Sequence, residues 1–149
     1  MKTEKDYEEF LALLNKHKVR YCVIGAFALA FHAHPRYTKD MDILVEASTD
    51  NAKKIMNVLN EFGFGSLNLN IEDLVAEGNI IQLGYEPVRI DIMTSIKGLD
   101  FNKVWRERVT GSYGRQTVNY IDRQNLIESK KLSDRIQDKA DLELLISHK

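Results

Sequence analysis

Three aspartates give this sequence of 149 residues its chemistry. Asp40 and Asp42 stand two apart in DMDILVE, residues 40 to 46, and Asp91 stands in PVRIDIMT, residues 87 to 94. Both segments alternate apolar and polar side chains, which predicts strands. On the first, Met41, Ile43 and Val45 point one way and Asp40, Asp42 and Leu44 the other. Side chains at i and i+2 project from one face of a strand about 7 Å apart, so the two carboxylates repel unless a cation joins them. A hard divalent ion suits carboxylate oxygens and keeps positions open for water and phosphate. If the Asp91 strand lies beside the first, three carboxylates converge on a metal site of the kind that phosphoryl transfer uses. One ion activates the attacking hydroxyl and the other steadies the leaving phosphate. By itself an Asp-x-Asp pair is more often an exposed strand end.

The elements that must position these acids are readable from periodicity and end signals. Tyr7, Phe10, Leu11 and Leu14 predict an amphipathic helix over residues 5 to 17. VRYCVIG, residues 19 to 25, reads as a buried strand ending at Gly25, and AFALAFHAH as a helix stopping before Pro35. A strand, a glycine turn and a helix N-terminus therefore precede the Asp-x-Asp strand, and helix N-terminal amides suit phosphate oxygens. Ser48-Thr49-Asp50 introduces a helix with Ile55, Val58, Leu59 and Phe62 on one face, stopped by Gly63. Residues 71 to 77 predict a short helix, and GNIIQLGY a strand that forms a hairpin with the Asp91 strand by turning near Glu86 and Pro87. Residues 100 to 108 predict a helix and QTVNYI a short strand. Two helices follow, over residues 122 to 131 and 134 to 147, with Asp122 and either Ser133 or Asp134 as caps. This order implies an α/β (α+β) domain, a mixed β-sheet flanked by helices with a C-terminal helical pair, as one domain over residues 1 to 149.

Composition narrows the function classes. The 21 basic and 22 acidic residues leave a formal charge of −1, which argues against a broad nucleic-acid footprint but leaves room for a local basic pocket. No apolar run approaches the roughly 20 residues that cross a bilayer, and the charged start MKTEKDYEEF is unlike a signal peptide. A single cysteine, Cys22, forms no internal disulfide and fits a reducing compartment. A cytoplasmic location is the expectation.

VIGAFALAFHAHPRYTKDMDILV, residues 23 to 45, resembles the signature of the polymerase-β-like nucleotidyltransferase superfamily. That signature is an apolar residue, Gly, then Gly or Ser, a spacer of about a dozen residues, and Asp-x-Asp or Asp-x-Glu. Here Gly25 and Ala26 are followed by 13 residues and then Asp40-Met41-Asp42. His32, Pro35, Arg36, Thr38, Asp40 and Asp42 are similar to the run found in the small bacterial branch, which includes abortive-infection-toxin-type members. Asp91 in VRIDIM corresponds to the third carboxylate of that branch, and Lys130, Arg135, Asp138 and Asp141 match its C-terminal spacing. Ala26 departs from the usual Gly or Ser, keeping the backbone N–H but lacking a serine hydroxyl for a terminal phosphate.

The resemblance implies a nucleotidyltransferase that uses Mg²⁺, or Mn²⁺ in its place. It would take a nucleoside triphosphate, ATP or another NTP, move the nucleoside monophosphate to an acceptor hydroxyl and release pyrophosphate. Asp40, Asp42 and Asp91 would be the catalytic and metal residues, and Gly25 and Ala26 would offer backbone N–H groups to the phosphates. For the cations two readings stand side by side. Arg36 and Lys39 bind triphosphate or merely offset the aspartates; Arg89 contacts substrate or pairs with an acid; Lys130 and Arg135 bind nucleotide or are solvated helix charges. Asp138 and Asp141 read as holding the last helix through neighbouring basic groups. His32 and His34 fall on different helix faces and do not form a metal site, Cys22 reads as a core thiol, and Trp105 as helix packing. The acceptor stays open between a small molecule, an RNA end and a protein hydroxyl. A rival class, which Ala26 favours, is a catalytically weak or inactive nucleotide-binding partner protein of a toxin–antitoxin-like pair. A nucleic-acid-binding module is the third class.

Overall fold

A computed structural model describes residues 4–33, 40–64, 68–85, 87–133 and 135–147. The apolar stripe read from the first segment forms the buried face of helix α1 (Lys5–Lys16), where Tyr7, Phe10, Leu11 and Leu14 are inaccessible. Strand β1 (Tyr21–Ile24) is buried throughout. Gly25 then opens helix α2 (Gly25–His32) rather than closing the strand. Strand β2 (Asp40–Val45) is followed by helix α3 (Thr49–Phe62), which the Ser48 hydroxyl caps by accepting from the Asn51 N–H. Gly63 ends α3 at φ 99°, a left-handed conformation that glycine adopts without strain. A short helix α4 (Ile71–Val75) leads to the hairpin of β3 (Ile80–Tyr85) and β4 (Val88–Met93). Helix α5 (Phe101–Glu107), strands β5 (Val109–Tyr113) and β6 (Gln116–Tyr120), and helices α6 (Arg123–Lys131) and α7 (Ile136–Ser147) complete the chain. The expectations for His34 to Lys39, Glu86 and Asp134 lie outside the described residues.

The six strands form one mixed sheet in the order β3-β4-β2-β1-β6-β5. β2 runs parallel to β4 and β1 parallel to β6, while the remaining neighbours are antiparallel. This is the mixed sheet with flanking helices that the element order implies. Strand β5 is an addition: VTGSY carries glycine and polar residues and was not expected to be a strand. Gly111 is there for space, since a Cβ at that position would strike the ring of Phe31. Helix α7 also starts later than expected, at Ile136, so Arg135 stands one residue ahead of it.

Helix α1 ties the sheet together from one side. Its Tyr7 hydroxyl meets the backbone of Arg89 on β4 at 3.1 Å twice, donating to the carbonyl and accepting from the N–H. Glu8 accepts from the Arg115 N–H at 2.8 Å, anchoring the β5–β6 turn, and Tyr113 Oη accepts from the Glu4 N–H at 2.6 Å. Phe10 meets Phe62 of α3 edge-on with ring centroids 5.1 Å apart. Buried Asn51 joins α3 to the start of β1, giving its side-chain N–H to the carbonyls of Arg20 and Glu46 and accepting from the Arg20 N–H at 2.8 Å.

Cys22 is fully buried on β1, and burial pushes its thiol up to about 12, well beyond what the nearby Arg108 charge offsets. The thiolate is the reactive form. A colorimetric disulfide reagent should therefore leave the native protein unmodified at about pH 8 and titrate the thiol fully once urea unfolds it.

Candidate active site

Strand pairing brings the sequence-selected acids together. β2 and β4 are adjacent and parallel with Asp42 opposite Asp91 and Asp40 opposite Arg89. On the other side of β2, Ile24 lies opposite Asp42, so the first turn of α2 rises beside that carboxylate. Gly25 has φ +66°, and a Cβ there would collide with Asp42 Oδ2. Glycine is thus required twice over, for its backbone conformation and for the closeness of the acid. Among the described residues no side chain caps α2, so its first N–H groups, those of Gly25 and Ala26 included, suit an anion. Further along β2 the same face turns apolar: Leu44 is buried, which confines the polar site to one end of the strand.

The three acids are held in different states. Asp42 is pushed up to about 6, first by burial and then by the charges of Asp91 and Asp40, with Arg89 and Lys130 opposing. Asp91 is only 5% exposed and is gripped by the guanidinium of Arg89, whose Nε donates to Oδ1 at 3.1 Å and Nη2 to Oδ2 at 3.0 Å. Asp40 has a buried oxygen, Oδ1, with no hydrogen-bond partner among the described residues. That orphaned oxygen and the crowded charge at Asp42 suit a hard cation. Among the described residues, no group of three His, Cys, Asp or Glu is disposed to hold a metal ion. Asp40 and Asp42 are the residues that would hold such an ion, whereas Asp91 is engaged by Arg89.

Beside Asp42 opens a cleft of about 280 Å³, whose walls include Gly25, Met93, Lys97, Lys130 and Arg135. Two of its cations were singled out by sequence, and they differ sharply. Lys130 is 8% exposed, with its ammonium 2.8 Å from Asp138 Oδ1 and 3.2 Å from Asp141 Oδ2. Ser133 Oγ donates to Asp138 at 2.5 Å and Gln137 Nε2 to Asp141 at 2.8 Å. Burial works to raise the Asp138 pKa, but the hydrogen bonds of Lys130 and Ser133 outweigh it and hold the carboxyl below its ordinary value. Arg135, by contrast, has a side chain 77% exposed and touches Asp138 only at 3.8 Å. Arg36 and Lys39 lie outside the described residues.

Sequence reasoning did not pick out Lys97 or Met93. Lys97 rides a loop after β4, and the following Gly98 lets that loop approach Leu132 at the end of α6. A lysine before glycine in a loop carries no distinguishing signal. Other readings find ordinary structural partners: His32 Nε2 lies 2.7 Å from the Ile121 carbonyl, and Trp105 packs under the Arg108 guanidinium at 3.6 Å.

Two stability measurements follow. A carboxyl whose pKa rises from 3.8 to about 6 on folding favours the native state below 3.8 and loses that contribution as pH rises through 6. In EDTA, Asp42→Asn should therefore be more stable than the parent at about pH 8, by on the order of 1–3 kcal/mol, with the advantage gone by about pH 4. Urea titrations at the two pH values check this. Removing Lys130 leaves two buried acids facing each other, so Lys130→Met should cost about 3–5 kcal/mol, whereas Arg135→Ala should cost under about 1 kcal/mol. Chemical denaturation of both variants decides it.

No protein-family model and no curated protein matches this sequence. Solved structures do. The lincosamide antibiotic adenylyltransferase LnuA, lincomycin-bound, superposes with a TM-score of 0.59 at 15% identity, over 99% of this chain and 98% of that one. ANT(2")-Ia in complex with adenylyl-2"-tobramycin gives 0.59 at 9% identity, over 95% and 86%. An antigenic nucleotidyltransferase-like protein from Paracoccidioides brasiliensis gives 0.56 at 13% identity, over 96% and 74%. With the mixed six-stranded sheet and its flanking helices on this common plan, the chain has the nucleotidyltransferase fold.

Proposed function

We propose that the protein is a metal-dependent nucleotidyltransferase that moves a nucleoside monophosphate from an NTP to an acceptor hydroxyl and releases pyrophosphate. The observation that carries this reading is the register of β2 and β4, which sets Asp42 beside Asp91 next to the uncapped first turn of α2. The structural neighbours named for adenylyl transfer favour ATP as the donor. A small molecule, an RNA end and a protein hydroxyl remain the candidate acceptors.

Each residue has a task in that reaction. The backbone N–H groups of Gly25 and Ala26 meet phosphate oxygens at the start of α2, and Ala26 supplies no hydroxyl to add to them. Asp40 and Asp42 would hold Mg²⁺, or Mn²⁺, with Asp91 completing the set. The metal, when bound, neutralises phosphate charge and makes the acceptor hydroxyl more acidic. Asp91 stands on the acceptor side and helps the hydroxyl lose its proton. The acceptor oxygen bonds to the α-phosphorus as the bond to the β-phosphate oxygen breaks, and pyrophosphate carries away the electron pair. Lys130, held between Asp138 and Asp141, and the exposed Arg135 line the cleft, and in this reading both meet phosphate. In this reading Arg36 and Lys39 would bind the triphosphate, and Arg89 adds its charge beside Asp91. If the chain is instead the inactive partner protein of a toxin–antitoxin-like pair, it binds nucleotide without releasing pyrophosphate.

A transfer screen with ATP labelled at the α-phosphate, run over metabolites, RNA and cell extract, tests the reading. The parent should release pyrophosphate in Mg²⁺. Asp42→Asn, correctly folded, should lose about three powers of ten in rate, equivalent to about 4 kcal/mol. A parent that binds ATP but never releases pyrophosphate overturns the enzyme reading.

A further inference from the structure

We propose that Gln82 binds the acceptor, and that the acceptor is an uncharged polyol laid on the open face of β3. This rests on the nucleotidyltransferase reading above and names the acceptor class for that same site.

The pairing registers set one row of side chains across four strands. Ile24 on β1 lies opposite Asp42 on β2, Asp42 opposite Asp91 on β4, and Asp91 opposite Gln82 on β3. Directly paired residues project from the same face of a sheet. Gln82 therefore joins the acids on their own side, one strand spacing of about 4.8 Å beyond Asp91. The two ends of the row differ. At the Ile24 end stand the first turn of α2 and the cleft lined by Lys97, Lys130 and Arg135, which suit phosphate. At the Gln82 end, among the described residues, no further strand follows, because β3 is the outer member of the sheet. In phosphoryl transfer the attacking and leaving oxygens lie roughly in line through phosphorus. With pyrophosphate leaving toward the cationic end, the acceptor oxygen enters from the other, over Asp91 and Gln82. That oxygen bonds to the α-phosphorus, its proton passes to the Asp91 side, and pyrophosphate departs with the electron pair.

The chemistry of that end selects the acceptor. The strand, IIQLGY, carries no charge. Ile80 stands two residues from Gln82, hence on the same face, and is 64% exposed. Leu83, on the opposite face, is buried in the core. Gln82 is itself exposed. Its amide nitrogen donates to the Gly84 carbonyl at 3.1 Å, which holds the group along its own strand. A primary amide has two donors and two lone pairs, and this bond uses one donor. A polyol matches the rest of that capacity. One hydroxyl goes to the reaction at Asp91, a neighbouring hydroxyl pairs with the amide, and the C–H surface of the molecule rests on Ile80. A serine or tyrosine side chain brings a single hydroxyl and nothing for the amide. An RNA end brings phosphates, which call for basic residues, and β3 supplies none.

The test follows label from ATP marked at the α-phosphate, in Mg²⁺, for the parent, Gln82→Ala and Gln82→Leu. The acceptors offered are a panel of neutral sugars and sugar alcohols, RNA oligonucleotides with a free terminal hydroxyl, and the protein fraction of a cell extract. Label should pass to a member of the polyol panel. For that acceptor both variants should raise KM about five- to tenfold, the scale of one lost hydrogen bond. The KM for ATP should move less than about twofold, and the melting temperature in EDTA should stay at the parent's. Agreement between the variants ties the loss to the amide, because leucine keeps the bulk that alanine removes. If polyols are labelled and neither variant changes the acceptor KM, Gln82 does not bind the acceptor and the proposal is overturned. An equal rise in both KM values with a lower melting temperature makes Gln82 a structural residue and overturns it too. Label passing to RNA, protein or water alone overturns the polyol assignment. In each of these cases the nucleotidyltransferase reading stands. If the parent releases no pyrophosphate with any of these acceptors, that reading fails and the acceptor site with it.

Discussion

Asp42 and Asp91 confront each other across a parallel strand pair, and much of the surrounding structure answers that repulsion. Parallel neighbours need a crossover, here supplied by α3, α4 and the edge strand β3. The register has no freedom: a slip of one residue on β2 would send Met41 and Ile43 into the polar site and both aspartates into the core. Arg89 absorbs the charge of Asp91, and the glycine at position 25 lets the positive end of α2 come up to Asp42. Even so, burial first and then the charges of Asp91 and Asp40 push the Asp42 carboxyl up to about 6. Stability and chemistry pull in opposite directions at this point in the fold.

The same trade takes another form at the far wall of the cleft. Lys130 spans from α6 to two aspartates on α7, a buried cation shared between buried anions. The residue lines the cleft, and its ammonium is held by the helix pair. Arg135 is one residue ahead of α7 and mostly in solvent, so its placement obeys no such constraint. One wall thus carries a buried, paired cation and an exposed one.

What was legible in the sequence was local. The stripe on α1, the alternation of β2 and β4, the Ser48 cap and the Gly63 stop depend on neighbours within a turn or two, and each is where periodicity and end chemistry place it. The polar face of β4 was equally plain, and Arg89 shared it with Asp91 on sight. Whether that arginine met substrate or acid was undecidable, because both lie within a long side chain's reach. Strand β5 was illegible because its Gly111 answers to Phe31, eighty residues away on α2, instead of to its own propensity. The burial of Lys130 depends on how α7 packs, which spacing along one helix does not reveal. Lys97 entered the cleft only through a loop whose path is set by Leu132.

The hydroxyl of Tyr7 has a consequence for how this molecule comes into being. Helix α1 is made before the strands it docks on, yet its Tyr7 and Glu8 bond to Arg89 and Arg115, separated in sequence by 82 and 107 positions. Such long loops must close before the contacts repay them, which places α1 docking on the slow side of assembly. During synthesis the helix waits for most of the sheet to emerge. The strand bearing Asp91 is therefore pinned by a contact that forms only after most of the sheet has been made.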